Sequence, residues 1–126
     1  MEVLATITLP IELTNGNDGR GSRWFSSANV RKKIEKTLRA MGLVCKPFEF
    51  PVFVHVTRLI PKGGREWDWS SVGRGNWKEI EDALVACGWF HDDGPKWMKP
   101  GQFFQRKSDD GKAAVVIEIH RAEAAT

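Results

Sequence analysis

The apolar patterning of this chain predicts an α+β fold, a mixed β-sheet packed with two helices in the order β-α-β-α-β-β. Three observations lead to it. β-branched and aromatic runs occur near residues 3–10, 48–60 and 113–120. Two stretches with apolar residues at helical spacing, each closed by a glycine, separate the first three strand regions. The last two strands follow one another without a helix between them, which argues against a doubly wound parallel sheet.

Taken in order, residues 3–10 (VLATITLP) are β-branched, end on Pro10 and read as the first strand. Asn15 to Gly21 is rich in glycine and asparagine and reads as a loop. Ser26 or Ser27 is placed to cap a helix running to about Met41, with Val30, Ile34, Leu38 and Met41 on its apolar stripe. Arg31, Lys32, Lys33, Lys36 and Arg39 take the remaining surface, and Gly42 is the stop. Residues 48–60 (FEFPVFVHVTRLI) form a long strand region, where Pro51 implies either an edge strand or a late entry into the ladder.

Residues 61–75 read as a loop. Asn76-Trp77-Lys78-Glu79 has the form of a capping box, and Ile80, Ala83, Leu84 and Cys87 make the stripe of the second helix before Gly88 closes it. His91 to Pro95 reads as a turn. The last unit is expected to be a hairpin, with arms at 102–107 and 113–120 joined by the turn Ser108-Asp109-Asp110-Gly111. Ala122 to Thr126 reads as a frayed tail.

At 126 residues the chain suits one hydrophobic core, so 1–126 is read as one domain. An apolar content of 41% against 28% charged is a globular balance. No apolar run is long enough to span a bilayer and no signal peptide is readable, so no membrane partner is expected. Cys45 and Cys87 lie far apart with no metal-binding spacing, which fits a reduced cytoplasmic setting. The net charge of +3 is unevenly spread: residues 79–95 hold five acids and no base, while the segments on either side are basic. A basic body around one acidic segment suits an enzyme that attracts a polyanion and holds a divalent cation beside it.

Glu66 and Asp68 stand two apart, so in extended chain their carboxylates project to one side. Asp92 and Asp93 follow the second helix, and a short helix between two acidic segments can return both to one pocket. Oxygen ligands of this kind suit Mg²⁺, though Asp-Asp-Gly is equally an ordinary turn. Lys78 has two readings: a surface pair with Asp82 one helical turn on, or a contact to phosphate.

From Arg65 to Asp93 the chain resembles the RusA-like Holliday junction resolvases, small endonucleases of phage and prophage origin. The resemblance lies in Asp82-Ala83-Leu84, in Gly88, in the spacing of Asp92-Asp93 and in Lys78 four residues before Asp82. Ile7-Thr8-Leu9-Pro10, with Asn15 beyond it, is similar to the family's first strand and loop. The chain departs from the family at its D-x-D-N motif, where it reads Glu66-Trp67-Asp68-Trp69 and is followed by a longer spacer. One alignment keeps Glu66 and Asp68 as the acidic pair. The other sets Ser70 at the second acid and loses a ligand.

The resemblance implies a Mg²⁺-dependent endonuclease that resolves four-way DNA junctions as a homodimer in the cytoplasm, the host's if the protein is phage-encoded. Glu66, Asp68 and Asp93 would be catalytic metal ligands, with Asp92 a helper and Lys78 near the phosphate. Arg20, Arg23, Arg58, Lys62, Arg65 and Arg74 are the expected phosphate contacts. Trp89 and Trp97 are expected to pack in the core or at a subunit contact, while Trp67 and Trp69 could stack on an unpaired base or pack on the sheet. His55 and His120 read as structural, and His91 is the histidine beside the acids. Two further readings stand next to this one: a junction- or DNA-binding protein on the same fold that no longer cuts, and a small interaction module with no nucleic-acid role. In the last case the cations should scatter over the surface.

Overall fold

The computed structural model describes residues 3–13, 27–67, 77–92, 94–99 and 101–122. They form β1 (Val3–Leu9), α1 (Ser27–Ala40), β2 (Val52–Ile60), α2 (Trp77–Ala86), β3 (Met98–Lys99), β4 (Phe103–Lys107) and β5 (Ala114–Arg121). This is the expected mixed sheet with two helices, with the two-residue strand β3 added to the expected order.

The sheet order is β1-β5-β2-β3, with β4 also paired to β2. β5 runs antiparallel along β2 from Val52↔Arg121 to Leu59↔Ala114. On the other side of β2, β3 pairs in parallel with its start (Val52↔Met98) and β4 in parallel with its end (Val56↔Phe103 to Ile60↔Lys107). The chain leaves β2, crosses α2 and returns beside β2 in the same direction, which makes a parallel β-α-β unit.

That topology corrects the expected terminal hairpin. β4 and β5 do not pair with each other; β2 lies between them. The Ser108–Gly111 segment instead passes over the end of β2, where Ser108 N–H donates to the Ile60 carbonyl and Lys62 N–H to the Gly111 carbonyl. Two strands joined by an Asp-Asp-Gly turn look alike whether they pair or straddle a third, because pairing depends on distant residues. β2 alternates strictly between buried and half-buried positions and pairs along both sides, so it is central rather than an edge. Pro51 precedes it, outside the ladder.

Both helices sit on one face of the sheet. Ile34 and Leu38 of α1 and Ile80, Ala83 and Leu84 of α2 are buried with Val52, Val54 and Val56 of β2, Val115, Ile117 and Ile119 of β5, and Ile7 and Leu9 of β1. Burial of such side chains stabilises by about 1.5–3 kcal/mol each. Met41, expected on the apolar stripe, lies one residue past α1 and is exposed.

The two helices end alike. Gly42 (φ 72°) and Gly88 (φ 88°) are left-handed. Leu43 N–H reaches the Leu38 carbonyl at 2.8 Å, and Trp89 N–H reaches that of Leu84 at 2.9 Å. Gly42 and Gly88 donate to Arg39 and Val85 at 3.1 and 3.0 Å, which completes a Schellman motif at each end. A side chain at Gly88 would also run into the Cys45 carbonyl. Buried Trp89 then donates its indole N–H to the Leu43 carbonyl at 2.9 Å.

Candidate nucleic-acid interface

The expected acidic centre is only partly within the described residues. Asp68 and Asp93 lie outside them, as do Ser70, Trp69, Asn76, Arg20, Arg23 and Arg74. Glu66 and Asp92 are described, and both are exposed.

Glu66 belongs to a segment tied to the far half of β2. Arg58 Nη1 donates to the Arg65 carbonyl at 2.9 Å and to Gln105 Oε1 at 3.0 Å. Gln105 in turn accepts from Trp67 N–H at 2.9 Å and donates to the Trp67 carbonyl at 3.1 Å. Trp67 stacks on Phe103 at 6.2 Å between ring centroids, and the Arg58 guanidinium lies 4.0 Å over its indole. The segment is thereby clamped where Arg58 faces Gln105 in the β2–β4 ladder.

Asp92 belongs to the other end. Its Oδ1 accepts from Gly94 N–H at 2.7 Å, closing a local turn. His91 before it bonds Glu49 at 3.0 Å, and Trp97 after it accepts from Val52 N–H at 3.0 Å, at the start of β2. From Val52 to Arg58 a strand advances roughly 20 Å. The anchors of the segments bearing Glu66 and Asp92 are therefore separated by most of the length of β2. Among the described residues no group of three or more His, Cys, Asp or Glu could hold a metal ion. Mg²⁺ is commonly held by one or two carboxylates with water and phosphate oxygens, and two of the four expected ligands, Asp68 and Asp93, lie outside the described residues.

The basic residues also divide. Arg58 is 6% exposed and engaged on Arg65, Gln105 and Trp67, so it braces the fold and does not face a phosphate. Lys62 and Arg65 are exposed. Lys78 pairs with Asp82 at 3.3 Å on the exposed side of α2. Trp67 takes the packing alternative, half-buried against the core. Trp97 is half-buried at the surface, its ring 4.5 Å from that of His91. His55 and His120 meet edge to face at 4.9 Å on the helix-free side of the sheet.

Among the described residues the strongest cationic feature is one the sequence treats as plain helix surface. α1 carries Arg31, Lys32, Lys33, Lys36 and Arg39 against the single acid Glu35, a larger positive excess than the +3 of the whole chain. Glu35 is neutralised locally by Arg39 at 3.4 Å. Arg39 also donates to the Ala86 carbonyl at 3.0 Å, meeting the partial negative charge at the end of α2. Lys32, Lys33 and Lys36 are exposed. Arg31, Lys32, Glu35, Lys36, Arg39 and Ala40 line a groove of about 660 Å³ along the helix. The signal was present in Arg-Lys-Lys-x-x-Lys; its concentration relative to the remainder of the chain is what distinguishes it.

No family model matches the chain, and no curated protein matches it. Among solved structures, a thiamine monophosphate kinase from Aquifex aeolicus aligns over 94% of this chain at 11% identity, with a TM-score of 0.33. The chain spans 35% of that kinase. At this level of similarity nothing follows for fold or activity, and the resolvase resemblance rests on the sequence of residues 65–93. No helix among the described residues is long and apolar enough to cross a membrane.

Proposed function

We propose that this protein binds DNA through the cationic face of α1 and does not cleave it. The supporting observation is the charge of that helix: five cations against one locally paired acid, four of the cations lining a groove, on a chain whose remaining charges nearly cancel. A duplex carries one phosphate charge per ~1.7 Å of axis, and exposed lysines a helical turn apart can neutralise several of them. An interaction module without a nucleic-acid role would scatter its cations instead. Four-way junctions are the first DNA form to try, as the resolvase resemblance suggests, and a homodimer would suit their twofold symmetry.

The cleaving alternative needs Mg²⁺ held by carboxylates. Of its acids, Glu66 and Asp92 are anchored far apart and Asp92 is occupied in its own turn. The test is a gel-shift series with a synthetic four-way junction and a linear duplex at 50 and 200 mM salt, each incubated with and without Mg²⁺. The expected result is salt-sensitive binding with intact strands. Magnesium-dependent nicking lost in Asp93→Asn would restore the nuclease reading, and no binding at 50 mM salt would end the DNA reading.

A further inference from the structure

Both helices cover one face of the sheet, and among the described residues no element covers the other. On that second face β2 presents Phe53, His55, Thr57 and Leu59, all half-buried, while Phe104 of β4 is 45% exposed. The rings form a row. Phe53 and His55 stack at 6.1 Å with 13° between their planes, and His55 lies 6.2 Å from Phe104. The His55 ring is held in place, since its Nδ1 accepts from Gln102 N–H at 2.9 Å. Lys99 stands beside Phe53 and Arg106 beside Leu59, so a cation flanks the row at each end of the same sheet edge. Glu118, beside His55, is the acid on this face among the described residues.

We infer that this face binds single-stranded nucleic acid, with unpaired bases stacking on Phe53, His55 and Phe104 and phosphates meeting Lys99 and Arg106. The inference takes only its ligand class from the DNA reading and uses the opposite side of the molecule. Ring-to-ring steps of about 6 Å suit successive bases of an extended strand, and every base offers a π-face irrespective of sequence. A duplex buries those π-faces in its own stack and cannot use the row.

Charge and area favour this occupant over a second copy of the chain. Two cations at the rim complement a polyanion. A face four strands wide and about eight residues long covers roughly 500 Å² in plan. A stable dimer buries about 800 Å² per partner. Glu118, Thr57 and Thr8 also leave it polar in patches, unlike a dry obligate interface.

The experiment measures fluorescence anisotropy of labelled (dT)12 and of a 12-base-pair duplex at 50 mM salt, with the wild type, Phe104→Ala, Phe104→Leu and Lys32→Glu/Lys36→Glu. Phe104→Leu keeps apolar bulk at the site, so its folding is secured if the alanine variant melts early. Loss of one stacking ring should weaken (dT)12 binding about tenfold and leave duplex binding unchanged. The α1 variant should weaken duplex binding and spare (dT)12. Should (dT)12 bind with ring-dependent affinity while the duplex does not bind, the α1 reading fails and this one stands. Absence of (dT)12 binding, or equal affinity in both Phe104 variants and wild type, overturns it. So does a wild-type dimer in sedimentation that Phe104→Ala converts to monomer.

Discussion

Gln105 holds Trp67 at both ends of its main chain: Oε1 accepts the Trp67 N–H at 2.9 Å, and Nε2 donates to the Trp67 carbonyl at 3.1 Å. A side-chain amide here imitates a neighbouring strand. It satisfies the backbone of an irregular segment that has no ladder of its own. The same Oε1 takes Arg58 Nη1, so one residue of β4 fixes both the buried guanidinium and the loop bearing Glu66.

Gln105→Leu removes three hydrogen bonds while keeping the volume, and it should lower the unfolding free energy by about 2–3 kcal/mol in urea titration. Arg58→Met should cost a similar amount. The double variant should cost less than the two singles added, because they share Oε1. DNA affinity of Arg58→Met should equal that of the wild type, whereas a phosphate-contacting arginine would weaken it.

The two helix-ending glycines separate conformational from steric cost. Gly42→Ala meets no atom and bears only the left-handed backbone, about 1–2 kcal/mol. Gly88→Ala adds a collision with the Cys45 main chain and should cost about 3 kcal/mol or more. Equal thermal shifts for the two would contradict the close approach of Cys45.

Stability should fall as the solution is acidified below pH 6.5. The His55 pKa lies below the ordinary histidine value of 6.5, first because burial disfavours the cation, then because His120 is near, with Glu118 opposing. The unfolded chain therefore takes up the proton before the folded one. The contribution is complete above 6.5 and is lost as pH drops through that value toward the folded pKa. Urea midpoints at pH 7.5 and 5.5 should differ less in His55→Gln than in the wild type.

Lys32→Glu/Lys36→Glu should leave the melting temperature within a degree or two, since both side chains are exposed. Its duplex affinity should fall, and the slope of log K against log salt should shrink by about 2, one unit for each phosphate no longer neutralised. An unchanged slope would move the DNA-binding surface away from α1.

Helix ends, the apolar stripes of α1 and α2 and the alternation of β2 were legible in the residues, because each is dictated within a few positions. Gly42 and Gly88 stop their helices by local backbone geometry, and β2 declares its buried face every second residue. Strand partnership is different. Nothing near Asp109-Asp110-Gly111 says that β2 enters between β4 and β5, since that choice is made by contacts tens of residues away. Arg58 carries the same lesson, for a lone arginine on a strand reads as a phosphate contact until Gln105 and Trp67 close over it. The wide spacing of the Glu66 and Asp92 anchors follows from α2 carrying the chain back along β2, and the row of Phe53, His55 and Phe104 from β4 joining that strand in parallel. Local sterics wrote the elements into the sequence; which charges and rings come together was decided by long-range packing, which no short stretch of residues encodes.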